Sequence, residues 1–234
     1  MLYREPVVRS SDQRSGGAGL RAAGVQRTRH SVVAAVREHL IQAGYHGLSL
    51  EQVAEDAGIT RVTIYRQFGS KLGLLQAVAD DLSERGQAAE RLGAAAALPD
   101  ASTALRSLVI ELCRFWDTDP PLFRRMVSLA AVDPEARQVI ESREQWRYDG
   151  ISTLTGRLAD EGRLRAPFGK DQAIATIVAI TSFPSCDQIA SALRVSFTEL
   201  PGLLLPLLSA VLDLEPPSIA ALSSPASDLL QHDQ

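Results

Sequence analysis

The chain has 234 residues, 45% hydrophobic and 22% charged, an ordinary balance for a soluble globular protein with a substantial core. A formal net charge of −4 and only two lysines argue against a basic, non-specific coat for nucleic acid. Cys113 and Cys186 are too few for a disulfide framework and lack C-x-x-C metal spacing, so core thiols in a reducing, cytoplasmic setting are expected.

Residues 1–26 carry Gly16, Gly17, Gly19 and Gly24 among scattered Ser and Arg without periodicity, which predicts a disordered basic arm. No apolar run follows Arg4, Arg9 and Arg14, so no signal peptide is expected. Helical spacing begins near Arg27, with Val32, Val33, Val36, Leu40 and Ile41 on one face, and Gly44 ends that helix. Ser49 with Gln52 three residues later has the capping-box pattern, ahead of an apolar face of Leu50, Val53, Ala54 and Ala57. Gly58 suits the positive φ of a sharp turn, Thr60 caps the next short helix, and Ile64 and Phe68 point inward. This is helix-turn-helix spacing over 27–71. Ser70 caps a further helix bearing Leu72, Leu75, Val78, Ala79 and Leu82, running to about Leu92, so that 72–98 forms a linking helix. Charge follows the same division. Residues 1–71 hold 10 Lys/Arg against 6 Asp/Glu, and residues 72–234 hold 14 against 22, a basic head on an acidic body.

The body, 99–214, reads as helices throughout. One ends at Phe115-Trp116 before Pro120-Pro121, and a short one covers Leu122 to Val132. A long one, capped by Asp133, runs from Pro134 to about Glu161. Another covers 171–193 with a kink at Pro184, and a last one covers 200–214. The Pro/Ser-rich 215–234 tail is expected to be flexible. Leu203 to Leu214 is short and broken by Pro206, so no membrane partner is expected.

From Arg27 to Val78, the strings Ser49-Leu-Glu-Gln-Val-Ala54, Gly58-Ile-Thr60, Thr63-Ile-Tyr65 and Phe68-Gly-Ser-Lys71-Leu-Gly-Leu-Leu75 resemble the DNA-binding domain of tetracycline-repressor (TetR) family regulators. The resemblance implies an all-α homodimer. An N-terminal three-helix helix-turn-helix domain would bind a palindromic double-stranded operator, and a C-terminal helical domain would provide ligand binding and dimerisation. By resemblance Tyr65 donates its hydroxyl to a phosphate and Lys71 pairs with another.

The residues themselves supply the rest of the interface. Arg61 opens the recognition helix, where a bidentate arginine reads guanine O6 and N7, and Val62 offers an apolar contact to a thymine methyl. Thr63 is expected at a thymine methyl or a phosphate, and Arg66, Arg27 and Arg29 at phosphates. Ser49 and Thr60 present hydroxyls and amides at helix N-termini, although a pure capping role explains them equally. Glu51 stands against this set, a carboxylate close to the expected phosphate face unless it accepts from a cytosine amino group.

In the body, Ile140, Glu144, Arg147, Ile151, Leu154 and Leu158 form one stripe on the long helix, with Arg143, Trp146 and Tyr148 nearby. Either Glu144 and Arg147 pair or face solvent, or they line a cavity for a polar ligand group, because a buried unpaired charge is costly. Phe115, Trp116, Phe123 and Phe183 are candidate walls for an amphipathic or aromatic small-molecule effector, though the same spacing also suits plain core. The helices near 171–193 and 200–214 are the expected homodimer face. No metal and no cofactor beyond the effector is expected. An all-α enzyme is disfavoured because His30, His39, His46 and His232 fall outside the body core and no phosphate loop or nucleophile motif occurs. The resulting reading is a sequence-specific regulator, usually a repressor in this family, released by its effector.

Overall fold

The computed structural model describes residues 13–45 and 47–214, with side chains from residue 23 onward. His46, His232, the first twelve residues of the expected arm and the tail 215–234 lie outside the described residues. The chain divides into two compact units, one reaching Asp81 and including Ser128–Val139, the other made of Leu82–Val127 and the chain from Ile140 on. Among the described residues there are eleven α-helices, one 3-10 turn and a single isolated β-bridge.

The head begins with α1, Gln13–Ala43. Helix therefore starts well before Arg27, in the stretch assigned to the arm. Ala18, Leu20, Arg21, Ala22 and Ala23 are good helix formers, and isolated glycines cost only about 1 kcal/mol each against them. Then come α2, Leu50–Asp56, and α3, Arg61–Phe68, followed by α4, Lys71–Arg85. Val32, Val36, Val53, Ile64, Leu74, Leu75 and Val78 are each no more than 1% exposed and make one small core. Gly58 joins α2 to α3 at φ +65°, the left-handed turn that its lack of a Cβ permits.

The linking helix is not continuous. It breaks at Gly86 and Gln87, the latter at φ +50°, before α5, Ala88–Ala96. A Cβ at Gly86 would lie 2.7 Å from the Phe115 ring, so this is where chain and ring approach too closely for any other residue. The second unit continues with α6, Ala101–Trp116, capped by Asp100, whose carboxylate accepts from Thr103 N at 2.7 Å. Next along the chain is α7, Pro120–Val132, which the proline pair opens and whose residues from Ser128 on count with the first unit. Its cap is buried Asp119, which accepts from Leu122 N and pairs with Arg85 at 3.3 Å. Helix α8, Pro134–Asp160, is capped by Asp133 as expected.

The expected 171–193 helix is two helices, α9, Lys170–Ile180, and α10, Phe183–Leu193, at 55° to one another. Pro184 has no N–H to give Ile180, four residues back, and its ring would clash with that carbonyl. Ser182 caps α10 instead, and the freed Ile180 carbonyl receives Cys186 Sγ at 3.5 Å. A 3-10 turn, Phe197–Glu199, leads into α11, Pro201–Leu208. This helix ends short of Leu214 because the chain turns back to pair with 163–165. Arg165 N donates to Val211 O at 2.9 Å and Asp213 N to Arg163 O at 2.8 Å. No single helix among the described residues is long and apolar enough to cross a membrane.

Candidate nucleic-acid interface

Two short helices with polar caps build the head's outer face. Ser49 Oγ accepts from Gln52 N at 3.3 Å, but Gln52 turns its amide to Glu55, so only half of the capping box forms. Thr60 Oγ1 accepts from Thr63 N at 3.3 Å and meets Thr63 Oγ1 at 3.0 Å. Both cap hydroxyls are thus already engaged within the head. With Ile64 and Phe68 buried, the period of α3 turns Val62, Tyr65 and Arg66 outward; Val62 is 76% exposed, a large apolar group with no intramolecular reason to face water.

Arg61 is the centre of this face. Its Nη1 is ion-paired with Glu51, its Nη2 donates to Tyr65 Oη at 3.2 Å, and its guanidinium lies 5.4 Å from the Tyr65 ring centroid. The bond to Tyr65, and next the Glu51 charge, hold the guanidinium proton more firmly than usual. The Tyr65 oxygen only accepts here, which leaves its O–H to donate. Glu51, the odd carboxylate of the sequence, is therefore a partner of the recognition helix. Periodicity within either helix carries no signal for that pairing.

Lys71 is half-buried rather than extended. Its Nζ donates to Tyr45 O at 3.4 Å and sits 5.0 Å above the Tyr45 ring. Burial, with the carboxylates of Asp133 and Glu135 beside it, pushes the Tyr45 phenol up. Arg29 lies 5.2 Å over the Phe68 ring. The turn between α3 and α4 is tight, with Ser70 N on Phe68 O and Gly73 N on Ser70 Oγ, and a Cβ at Gly73 would fall 1.9 Å from Phe68 O. Gly73→Ala is expected to cost about 1–3 kcal/mol of head stability, measurable by urea denaturation, because backbone must move to make room.

In the second unit the four aromatic candidates pack on one another. Ring centroids are 5.1 Å apart for Phe115–Phe123, 5.0 Å for Trp116–Phe123, 5.7 Å for Trp116–Phe183 and 5.0 Å for Phe123–Phe183. None of them borders one cleft of about 290 Å³ among Leu92 and Ala96 of α5, Leu108 and Leu112 of α6, and Trp146, Arg147 and Leu154 of α8. Trp146 and Arg147 thus stand at a cleft, while Arg143 is half-buried outside its lining. Arg147 is 6% exposed and paired with Glu144 at 2.6 Å. It also donates to Val178 O at 3.1 Å and Thr181 Oγ1 at 3.0 Å, which places a cation at the C-terminal end of α9. Cys113 and Cys186 are free and buried, and a hydrogen bond between the two thiols, helped by Arg147, draws the Cys186 thiol down.

Residues 32–78 match the model for bacterial regulatory proteins of the tetR family. Residues 32–78 are a TetR-family head. Among curated proteins, the HTH-type transcriptional regulator AlkX of Mycobacterium tuberculosis is 44% identical over 57 residues, 24% of this chain and 27% of AlkX. TtgW of Pseudomonas putida, also an HTH-type transcriptional regulator, is 39% identical over 57 residues, 24% of this chain and 42% of TtgW. The chain is thus matched over less than half the length of these relatives. Beyond the TetR-family head, solved structures share the fold. The transcriptional regulator FadR of Bacillus subtilis, solved with stearoyl-CoA, has a TM-score of 0.63 at 19% identity over 76% of this chain and 96% of that one. The ketosteroid transcriptional regulator KstR2 of Mycobacterium tuberculosis has 0.57 at 14%, over 79% and 95%.

Proposed function

We propose that this chain is a sequence-specific transcriptional regulator that binds a palindromic operator as a homodimer and leaves it when a small amphipathic molecule occupies the body. The observation that carries the reading is α3. Its inward residues Ile64 and Phe68 fix it to the head, while Arg61, Val62, Tyr65 and Arg66 stand exposed within a TetR-family match. The dimer is assigned to the outer surfaces of α10 and α11, where Leu193, Leu203 and Leu207 are 56%, 37% and 50% exposed. Ala173, Ile174 and Ile177 of α9, within the 171–193 stretch expected at the dimer, are instead buried in the chain's own core. For the effector, a mostly apolar cleft with one guanidinium suits an acyl or ring body with a polar group. The stearoyl-CoA of the FadR structure belongs to that class.

Selection of bound sequences from random duplexes tests the reading, and a palindrome with half-sites about one helical turn apart is the expected result. Arg61→Ala is expected to relax one base position per half-site and weaken the operator about tenfold or more. Lys71→Ala is expected to weaken all duplexes alike and to flatten the salt dependence. Selected DNA without a palindrome would refute the dimeric reader.

A further inference from the structure

We propose that Glu51 is a positioning residue for DNA reading. It fixes the Arg61 guanidinium for guanine and penalises duplexes that do not offer one. The inference rests on the regulator reading above. It starts from a conflict of charge, since a carboxylate 65% exposed on the face that meets a polyanion weakens binding to every duplex. As a clamp between α2 and α3 the pair contributes little to stability, because both partners are largely solvated. Specificity gives it a purpose that stability does not.

The geometry supplies the means. Arginine is a long side chain that loses rotamer freedom when it reads a base. Here Glu51 holds its Nη1 and the Tyr65 hydroxyl its Nη2, with the Tyr65 ring centroid 5.4 Å from the guanidinium carbon. These bonds use two of the five N–H donors of the guanidinium, and three remain for guanine O6 and N7. The fork therefore meets the base already oriented, and part of the ordering cost falls on the free protein. Where the base pair lacks that acceptor pair, Arg61 gains no bidentate contact, and nothing offsets the repulsion between the Glu51 carboxylate and the phosphates. Discrimination is a difference of affinities, and a repulsive element aimed at wrong partners widens it. Ser49 Oγ, 3.4 Å from Glu51 Oε2, ties the carboxylate to the start of α2.

The test uses the full-length chain, with Glu51→Gln, Glu51→Asp and Glu51→Gln/Arg61→Ala. For each, affinity is measured for the selected operator, for operators changed at the guanine that Arg61 reads, and for unrelated duplex, over a range of salt. Glu51→Gln is expected to bind unrelated duplex several-fold more tightly and to lose roughly tenfold discrimination at that one position. Glu51→Asp is expected to restore part of the discrimination, and Glu51→Gln to have no further effect on it once Arg61 is Ala. A palindrome selected by the unsubstituted chain, with Glu51→Gln shifting every duplex by one factor, overturns the inference and leaves the regulator reading standing. Failure of the unsubstituted chain to select any sequence overturns both.

Discussion

Phe183→Ala is expected to destabilise the second unit by about 3–5 kcal/mol, the range for truncating a buried phenylalanine. The ring is 4% exposed and stacks between Phe123 at 5.0 Å and Phe197 at 5.7 Å, with Trp116 edge-on at 5.7 Å. Three other elements, α6, α7 and the 3-10 turn, place Trp116, Phe123 and Phe197 against it, so the void cannot collapse by moving one side chain. Aromatic pairing adds to the area lost, since edge and stacked contacts each carry about 0.5–1.5 kcal/mol beyond burial. Urea denaturation followed by far-UV circular dichroism measures it, with Phe115→Ala as the milder comparison because that ring is only half-buried. A loss below about 1 kcal/mol would mean that the rings border empty space and would favour their role as pocket walls.

That experiment bears on what the sequence can and cannot reveal. Local devices are legible because one stretch of chain contains the whole cause. Gly58 turns at positive φ, Ser49, Thr60, Ser70 and Asp133 cap, and the alternation of Ile64 and Phe68 with Val62 and Tyr65 fixes which side of α3 looks out. The aromatic set shows the limit. Phe115, Trp116, Phe123 and Phe183 fit helical spacing whether they line a cavity or fill one, and only the distances between rings on different helices show that they pack on one another. The break at Gly86 and Gln87 has the same character, since a lone glycine in a helical pattern does not say that the Phe115 ring will crowd it. Pro184 was legible as a disturbance, but its strength depended on Ser182 and Cys186 being placed to take the groups it releases. Cross-helix polar pairs are the least legible of all. Nothing about Glu51 on α2 announces Arg61 on α3.

Arg147→Ala is expected to cost about 2–4 kcal/mol, from lost charge-assisted hydrogen bonds and acceptors left buried. The side chain ends where α9 ends, and its Nη1 serves both Val178 O and Thr181 Oγ1. Thr181 O in turn takes the Trp116 indole N–H at 3.0 Å, so one guanidinium holds the bend after α9 and, through it, one edge of the aromatic cluster. Glu144 supplies the counter-charge from the preceding turn of α8, and being 43% exposed it tolerates loss of its partner better than Arg147 does. Glu144→Gln, which keeps an acceptor, is therefore expected to cost less, about 1–2 kcal/mol. The order of the two substitutions is the informative quantity. If Glu144→Gln were the more damaging, ion pairing and not the end of α9 would be what keeps the arginine in place. If both fell within about 0.5 kcal/mol of the unsubstituted chain, the bend would rest on Pro184 and Ser182 alone. The same guanidinium borders the cleft and already gives four of its five N–H groups to Glu144, Val178 and Thr181, so an effector that takes more than the fifth must displace one of them. Occupancy of the cleft would then be felt first at the α9–α10 bend, which leads into the helices assigned to the dimer.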